Sequence, residues 1–301
     1  MSVVKGERAP VALDKRMLPC SVCGSVHQEV LYPEELGAEL PSVNYDFSPH
    51  TRKTFQIVKC NCGMIFVNPM PRLGAAYSDN IDDIYLASSR QRKKTAEYAV
   101  SQLRKYASQG TLLDVGCATG FFLDAAAKYF SVEGVELSAW AADISSQKHR
   151  VYREPLSSLR LGKQYDVLTM WGVIEHLEEP AAELQAAYNA LKPGGLFALY
   201  TGDVESWMAR LLGKKWWWFQ GMHLLYYSRR TLEQALKNAG FEPLAHGLYR
   251  QYFELSSLSR SFNRYPIGKL LSPILNSKVL ADRMVPLDLS GEMVVYARKA
   301  G

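Results

Sequence analysis

Apolar residues recur at helical spacing through residues 92–108, at Ala96, Ala99, Val100, Leu103 and Tyr106. That spacing predicts a helix with one buried face. The rhythm then changes: Thr111–Val115 and Tyr165–Trp171 are short, largely apolar runs without helical period, and Val132–Ser138 reads as a second strand ending in an acid. Such runs mark strands covered on both faces. Helices are predicted among them: Ser138–Gln147 with Ser138 as N-cap, Pro180–Leu191 stopped by Pro193-Gly194-Gly195, and Arg229–Ala239 opened by Ser228 and closed by Gly240. Strand–helix alternation from 111 to about 201 predicts a doubly wound α/β core around a parallel sheet. Phe241–Gly247 and Glu292–Arg298 read as the last two strands, with a helical insertion at about 251–285 between them.

The first strand of this core ends in an informative turn, Asp114-x-Gly116-x-Ala118-x-Gly120. Side chains are nearly absent there, so a ligand can lie against bare backbone while the N–H groups opening the next helix point at it. A dinucleotide site needs Gly-x-Gly-x-x-Gly. Counted from Gly116, the third glycine falls on Phe121, a bulky ring where close helix–strand packing is required. The spacing instead resembles the first motif of class I S-adenosylmethionine-dependent methyltransferases, with Ala118 where that family more often has glycine. Further motifs follow in the family's order: Val132–Ser138 with the acid Glu136, Tyr165–Leu177 with Trp171 and the pair Glu175-His176, and Leu191–Phe197.

The resemblance covers residues 85–240 and implies a Rossmann-like seven-stranded sheet with S-adenosyl-L-methionine as cofactor. It places Tyr85, Asp114, Gly116, Cys117, Ala118, Gly120, Glu136, Leu137, Glu154 and Trp171 around that cofactor. Glu136, at a strand end, suits a ribose diol. Glu154 is the candidate on the adenine side. The face of Trp171 can attract a sulfonium. Cys117 also reads as a small packing residue.

Four of the five cysteines fall in two pairs, Cys20-x-x-Cys23-Gly24 and Cys60-x-Cys62-Gly63. Two close pairs about forty residues apart, each followed by glycine, read as the knuckles of a tetrahedral structural Zn(2+) site. The second pair is one residue short, and His27 or His50 is an alternative ligand; four reduced thiols are the bland alternative. The segment Cys60–Pro71 resembles the zinc-ribbon prefix of a bacterial methyltransferase subgroup associated with sugars, surface glycans and natural products. The 301 residues then divide into a tail (1–16), a zinc-ribbon-like module (17–72), a connector and lid helix (73–110) and the methyltransferase domain (111–301).

Hydrophobic residues make up 48% of the chain, enough for a full core, and the net charge is +5. That balance suits anionic small molecules better than an obligate nucleic-acid binder, so nucleic acid is not the expected partner. No run approaches the ~18 apolar residues that span a bilayer. No secretory signal is visible and the cysteines look unpaired, which together lead us to expect a cytoplasmic protein. No feature points to an oligomeric state.

The segment Trp216-Trp217-Trp218-Phe219 follows the fifth core strand. It reads as a substrate wall and core anchor, or, with Lys214 and Lys215, as a membrane-surface contact. His223 lies just beyond, where the family's substrate-facing segment runs, and a histidine there can take a hydroxyl proton during methyl transfer. His176 is the reserve base. The expected activity is methylation of a small-molecule acceptor, a hydroxyl of a sugar, glycan precursor or natural product. The alternatives are an RNA methyltransferase docked by the ribbon, transfer to carbon or nitrogen, and a non-catalytic cofactor-binding or assembly protein.

Overall fold

The computed structural model describes residues 14–36, 53–73, 81–256, 282–288 and 291–300. Two larger sheets organise them, with two further two-stranded pairings beside them. A small N-terminal module contributes β1 (Lys15–Arg16), β2 (Gln28–Tyr32), β3 (Ile57–Cys60), β4 (Ile65–Val67) and β5 (Met70–Pro71). β1 pairs with β5, so Lys15 and Arg16 belong to the module rather than to a loose tail. His50 and residues 1–13 lie outside the described residues.

The core sheet holds β6 (Gly110–Val115), β7 (Phe130–Val135), β8 (Arg150–Tyr152), β9 (Tyr165–Trp171) and β10 (Leu191–Gly202), all parallel. Its strand order is β12-β15-β10-β9-β6-β7-β8, with β12 (Phe241–Gly247) and β15 (Glu292–Lys299) completing seven strands. β15 runs antiparallel to both of its neighbours. Leu112, Leu113, Val167, Leu168, Leu196 and Phe197 are fully buried along the central strands. Each such side chain contributes about 1.5–3 kcal/mol relative to exposure.

Local signals in the sequence set the helices. Ser138 caps Ala139–Ser145 by accepting from Ala141 N, and Ser228 forms a capping box with Thr231 at the head of Arg229–Asn238. The connector helix runs Ser89–Leu103 and buries Ala96, Ala99, Val100 and Leu103, the face that the spacing predicts. It starts three residues early and stops at Leu103, ahead of Tyr106. The insertion between the last core strands opens and closes as strands: β13 (Arg250–Glu254) pairs antiparallel with β14 (Met284–Asp288). This corrects the helical expectation at those ends; residues 257–281 lie outside the described residues.

The two sheets are joined through a short strand, β11 (Leu225–Tyr226), from the loop after β10. It pairs with β4 to make the module's sheet four-stranded, in the order β11-β4-β3-β2. Among the described residues no helix is long and apolar enough to cross a membrane.

Candidate active site

The glycine loop leaves β6 at its carboxyl end and turns into the helix Phe121–Ala126. Gly116 N and Cys117 N both donate to Val135 O, at 2.8 and 3.0 Å, tying the loop to the neighbouring strand β7. Gly116 has φ +75°, and a Cβ there would overlap Val173 Cγ2, so conformation and space both call for glycine. Ala118 also sits at positive φ, +46°, a cost of roughly 1–2 kcal/mol for a residue with a Cβ. Its N–H donates to Glu136 Oε2 at 2.8 Å, and Ser138 N donates to Glu136 Oε1 at 2.8 Å. The carboxylate is therefore fixed beside the loop, at the end of β7. Burial raises its pKa while the two N–H groups oppose that shift.

Asp114 is buried and accepts from Thr169 Oγ1 at 2.6 Å. Burial pushes its pKa up to about 8. Tyr85 comes from the connector; the Asp82 side chain accepts from its backbone N–H. The Tyr85 ring stacks on Phe121 at 5.8 Å and carries the Arg92 guanidinium 3.7 Å from its centre. Leu137 is exposed beside Glu136, and Glu154 is exposed in the loop after β8. The Cys117 sulfur lies 3.8 Å from Ala118 O and 3.9 Å from Ser145 Oγ and packs against Gly134.

Across the sheet, Trp171 at the end of β9 packs between Phe122 (5.2 Å) and Tyr249 (5.9 Å). Tyr249 stacks on Tyr200 at 3.8 Å. Gln251 Nε2 donates to Tyr200 Oη and to Glu292 Oε2, at 3.2 and 3.0 Å. Trp216 and Trp218 are buried and stack at 6.0 Å, so they serve as core anchors. The indole N–H groups of Trp171, Trp216 and Trp218 have no acceptor among the described residues.

His223 is buried under this aromatic loop. Its Nδ1 lies 2.7 Å from Trp218 O and its Nε2 3.3 Å from Gln220 Nε2. His176 Nδ1 lies 2.9 Å from Met222 O, and the two imidazoles meet edge to face at 4.7 Å. A carbonyl accepts only, so each Nδ1 carries a proton and each Nε2 presents a lone pair. Burial holds His176 down to about 4 and His223 well below its ordinary value, so both rings are neutral near pH 7. Glu175 lies against them and accepts from Thr201 Oγ1 at 2.9 Å; its buried carboxyl is pushed up to about 8.

The four cysteines also converge. Cys20 Sγ is 3.6 Å from Cys62 Sγ, Cys23 Sγ is 3.5 Å from Cys60 Sγ, and all four sulfurs lie within 4.8 Å of one another. The short second pair closes a turn one residue tighter than the first: Gly24 N donates to Cys20 O, four residues back, and Gly63 N to Cys60 O, three residues back, both at 2.8 Å. His27 is exposed and is not in the cluster.

A family of methyltransferase domains matches residues 88–246, more than half of the chain. The chain belongs to that methyltransferase family. Its seven-stranded core is the fold of the class I S-adenosylmethionine-dependent enzymes. The Ubiquinone biosynthesis O-methyltransferase of Paraburkholderia xenovorans is 30% identical over 118 residues, 35% of this chain and 51% of that protein. Its mitochondrial namesake in Candida albicans is 31% identical over 130 residues, 38% of either chain. The chain thus spans about half the length, or less, of these curated relatives. A chain in the complex containing the Trm112 methyltransferase activator of Haloferax volcanii superposes with a TM-score of 0.51 at 13% identity, covering 71% of this chain and 92% of that one. That likeness is one of fold.

Several residues of this candidate site carry no motif. Thr169 announces itself only as a lone hydroxyl in the apolar run of β9. Tyr200, Tyr249, Gln251 and Glu292 are brought together from β10, the turn before β13, β13 and β15, and only the register of those strands makes them neighbours. Gln220 lies three residues before His223 and touches it in space, but an isolated glutamine gives no signal.

Proposed function

We propose that this methyltransferase transfers a methyl group from S-adenosylmethionine to a hydroxyl of a small molecule, a sugar, glycan precursor or natural product. The observation that carries the reading is the Glu136 carboxylate, held by Ala118 N and Ser138 N beside a loop stripped of side chains. Those residues fit the cofactor: Glu136 would accept the ribose hydroxyls, Leu137 would lie under the adenine, and Asp114 would face its cationic end. The bound cofactor supplies an electrophilic methyl group with a thioether leaving group.

The chain's own task is positioning. Trp171, Tyr249 and Tyr200 form an aromatic platform at the ends of β9 and β10 that suits one face of a ring. The buried indole N–H of Trp171 is a donor awaiting an acceptor. The acceptor oxygen forms its bond to carbon as the bond from carbon to sulfur breaks, and the hydroxyl proton leaves with neither metal nor redox change required. His223 takes that proton at Nε2, after Gln220 swings aside, with His176 as the reserve. Holding oxygen and methyl in line supplies most of the acceleration, and the base adds about 10²–10⁴-fold. Relatives named as O-methyltransferases support an oxygen acceptor.

The four-cysteine cluster would hold Zn(2+). Sulfurs bound to zinc at about 2.3 Å stand about 3.8 Å apart, close to the 3.5 and 3.6 Å seen here. The ion would stabilise a module too small to fold on its own core.

Calorimetry of the purified chain with S-adenosylhomocysteine, followed by labelled methyl transfer to a panel of phenolic, sugar and polyketide hydroxyls, tests the reading. Binding and a labelled ether are expected. Absence of heat with either adenosyl compound would refute it.

A further inference from the structure

The N-terminal module does not sit apart from the active site. Its sheet is completed by β11, two residues of the aromatic loop, with Leu225 opposite Phe66 and Tyr226 opposite Ile65. Just before that strand, Leu224 bridges the two domains with its own peptide unit. Val67 N donates to Leu224 O at 2.8 Å, and Leu224 N donates to Glu175 O at 2.7 Å. Tyr226 Oη then donates back to His223 O at 2.8 Å. From the cysteine knuckle to the candidate base there is one short covalent and hydrogen-bonded path: Cys60 and Cys62, β4, β11, His223.

Side chains reinforce it. Tyr32 of β2 meets Phe219 edge to face at 5.4 Å, and Phe219 packs on Tyr226 at 4.7 Å. Lys214 pairs with Glu35 at 2.6 Å. On the helix after the loop, Arg230 Nη2 donates to Cys62 O at 2.6 Å and Asn238 Nδ2 to Val22 O at 2.7 Å, so a carbonyl in or beside each cysteine pair is gripped by the same helix.

We propose that the four-cysteine module is a clamp that positions the acceptor half of the active site, by holding loop 216–228 and with it Trp218, Gln220 and His223. The catalytic part of this inference rests on the methyl-transfer reading above; the mechanical part does not. A two-residue strand has no stability of its own, and among the described residues β11 finds its strand partner only in β4. The module, in turn, needs its thiolate site to fold. Metal occupancy therefore sets the order of the loop. The cofactor half stands on β6 and β7, on the far side of β9 in the core sheet, and is expected to keep its form without the clamp. Arg230 and Tyr226 act as positioning residues: each holds backbone and neither reaches the reacting atoms.

The test uses the full chain with zinc bound, after zinc is stripped by a chelator, and as the variants Cys62→Ser, Cys62→His and Arg230→Ala. Hydrogen exchange is read at 216–228 and at 112–120, S-adenosylhomocysteine affinity by calorimetry, and kcat and KM with any acceptor found. Stripping zinc and Cys62→Ser are expected to raise exchange at 216–228 at least tenfold. Exchange at 112–120 and the affinity for S-adenosylhomocysteine should stay within twofold, and kcat should fall at least tenfold. Cys62→His, which keeps a zinc ligand, restores loop protection. Arg230→Ala keeps its zinc, removes one tether, and is expected to raise exchange at 216–228 by two- to fivefold, which keeps the test decisive if Cys62→Ser does not fold. Unchanged exchange at 216–228 on zinc loss overturns the clamp, and so does equal loosening at 112–120. Loop loosening in a chain that binds no adenosyl compound leaves the clamp standing and removes the methyl-transfer reading instead.

Discussion

The backbone N–H of Ala118 donates to Glu136 Oε2 at 2.8 Å, joining the glycine loop after β6 to the acid after β7. The acid both braces the loop and presents itself to it. Glu136→Gln puts an amide N–H against one of the two backbone donors, Ala118 N or Ser138 N. Hydrogen bonds to a charged group contribute about 1.5–3 kcal/mol, so S-adenosylhomocysteine affinity is expected to fall about 10- to 100-fold. Calorimetry on variant and parent measures this; equal affinities would remove Glu136 from the cofactor site.

Gly116→Ala is expected to destabilise the fold by roughly 1–3 kcal/mol from its positive φ alone, with more from the overlap with Val173. Urea unfolding gives the number. Adding Val173→Ala relieves the overlap but leaves the φ cost, so the double variant should recover part of the stability.

Asp114 is expected to give cofactor binding a pH dependence. Burial raises its folded pKa from 3.8 to about 8. The stability held in its protonated form is full below the unfolded value and is lost as pH rises through about 8. A cationic cofactor favours the ionised form, so S-adenosylmethionine should release a proton from Asp114 on binding near pH 7 and bind more tightly from pH 6 to 8. Titrations in buffers of different ionisation enthalpy count that proton; a count of zero at pH 7 means that binding does not change the ionisation of Asp114 and overturns this prediction.

His223→Ala, with substrates saturating, is expected to slow single turnover by about 10²-fold or more and to leave cofactor affinity unaltered. Burial lowers the pKa of both histidines, to about 4 for His176. The rate should therefore stay flat as pH falls from 8 to 6, and drop only below the ordinary histidine range. A normal rate in His223→Ala moves the role to His176.

Zinc analysis of the purified chain should find about one ion per chain. Cys23 is exposed, and the Ser25 N–H lowers its thiol pKa, so this thiolate is the edge at which a chelator enters. Stripping the ion should lower the melting temperature, and zinc should restore it. A metal-free chain of unchanged melting temperature would make the thiols simple packing residues.

The sequence alone determined the α/β core, because its signals are local: apolar runs for strands, Ser138 and Ser228 for caps, small residues where backbone must lie bare. The nearness of the glycine loop to Glu136 was legible for the same reason, since a loop and the acid after the next strand are fixed by one short crossover. The cysteine spacing likewise announced a cluster despite its shortened second pair. Only the tertiary structure decided the cluster proposed to receive the acceptor. Tyr200, Tyr249, Gln251 and Glu292 meet through long-range strand register, which leaves no periodic trace. The state of His223 was also decided there, because a histidine's proton follows from the carbonyl it faces and the water it loses. The pairing of β11 with β4 belongs to the same class: two residues are too few to show a strand pattern, and it took the folded chain to bring the module and the aromatic loop edge to edge.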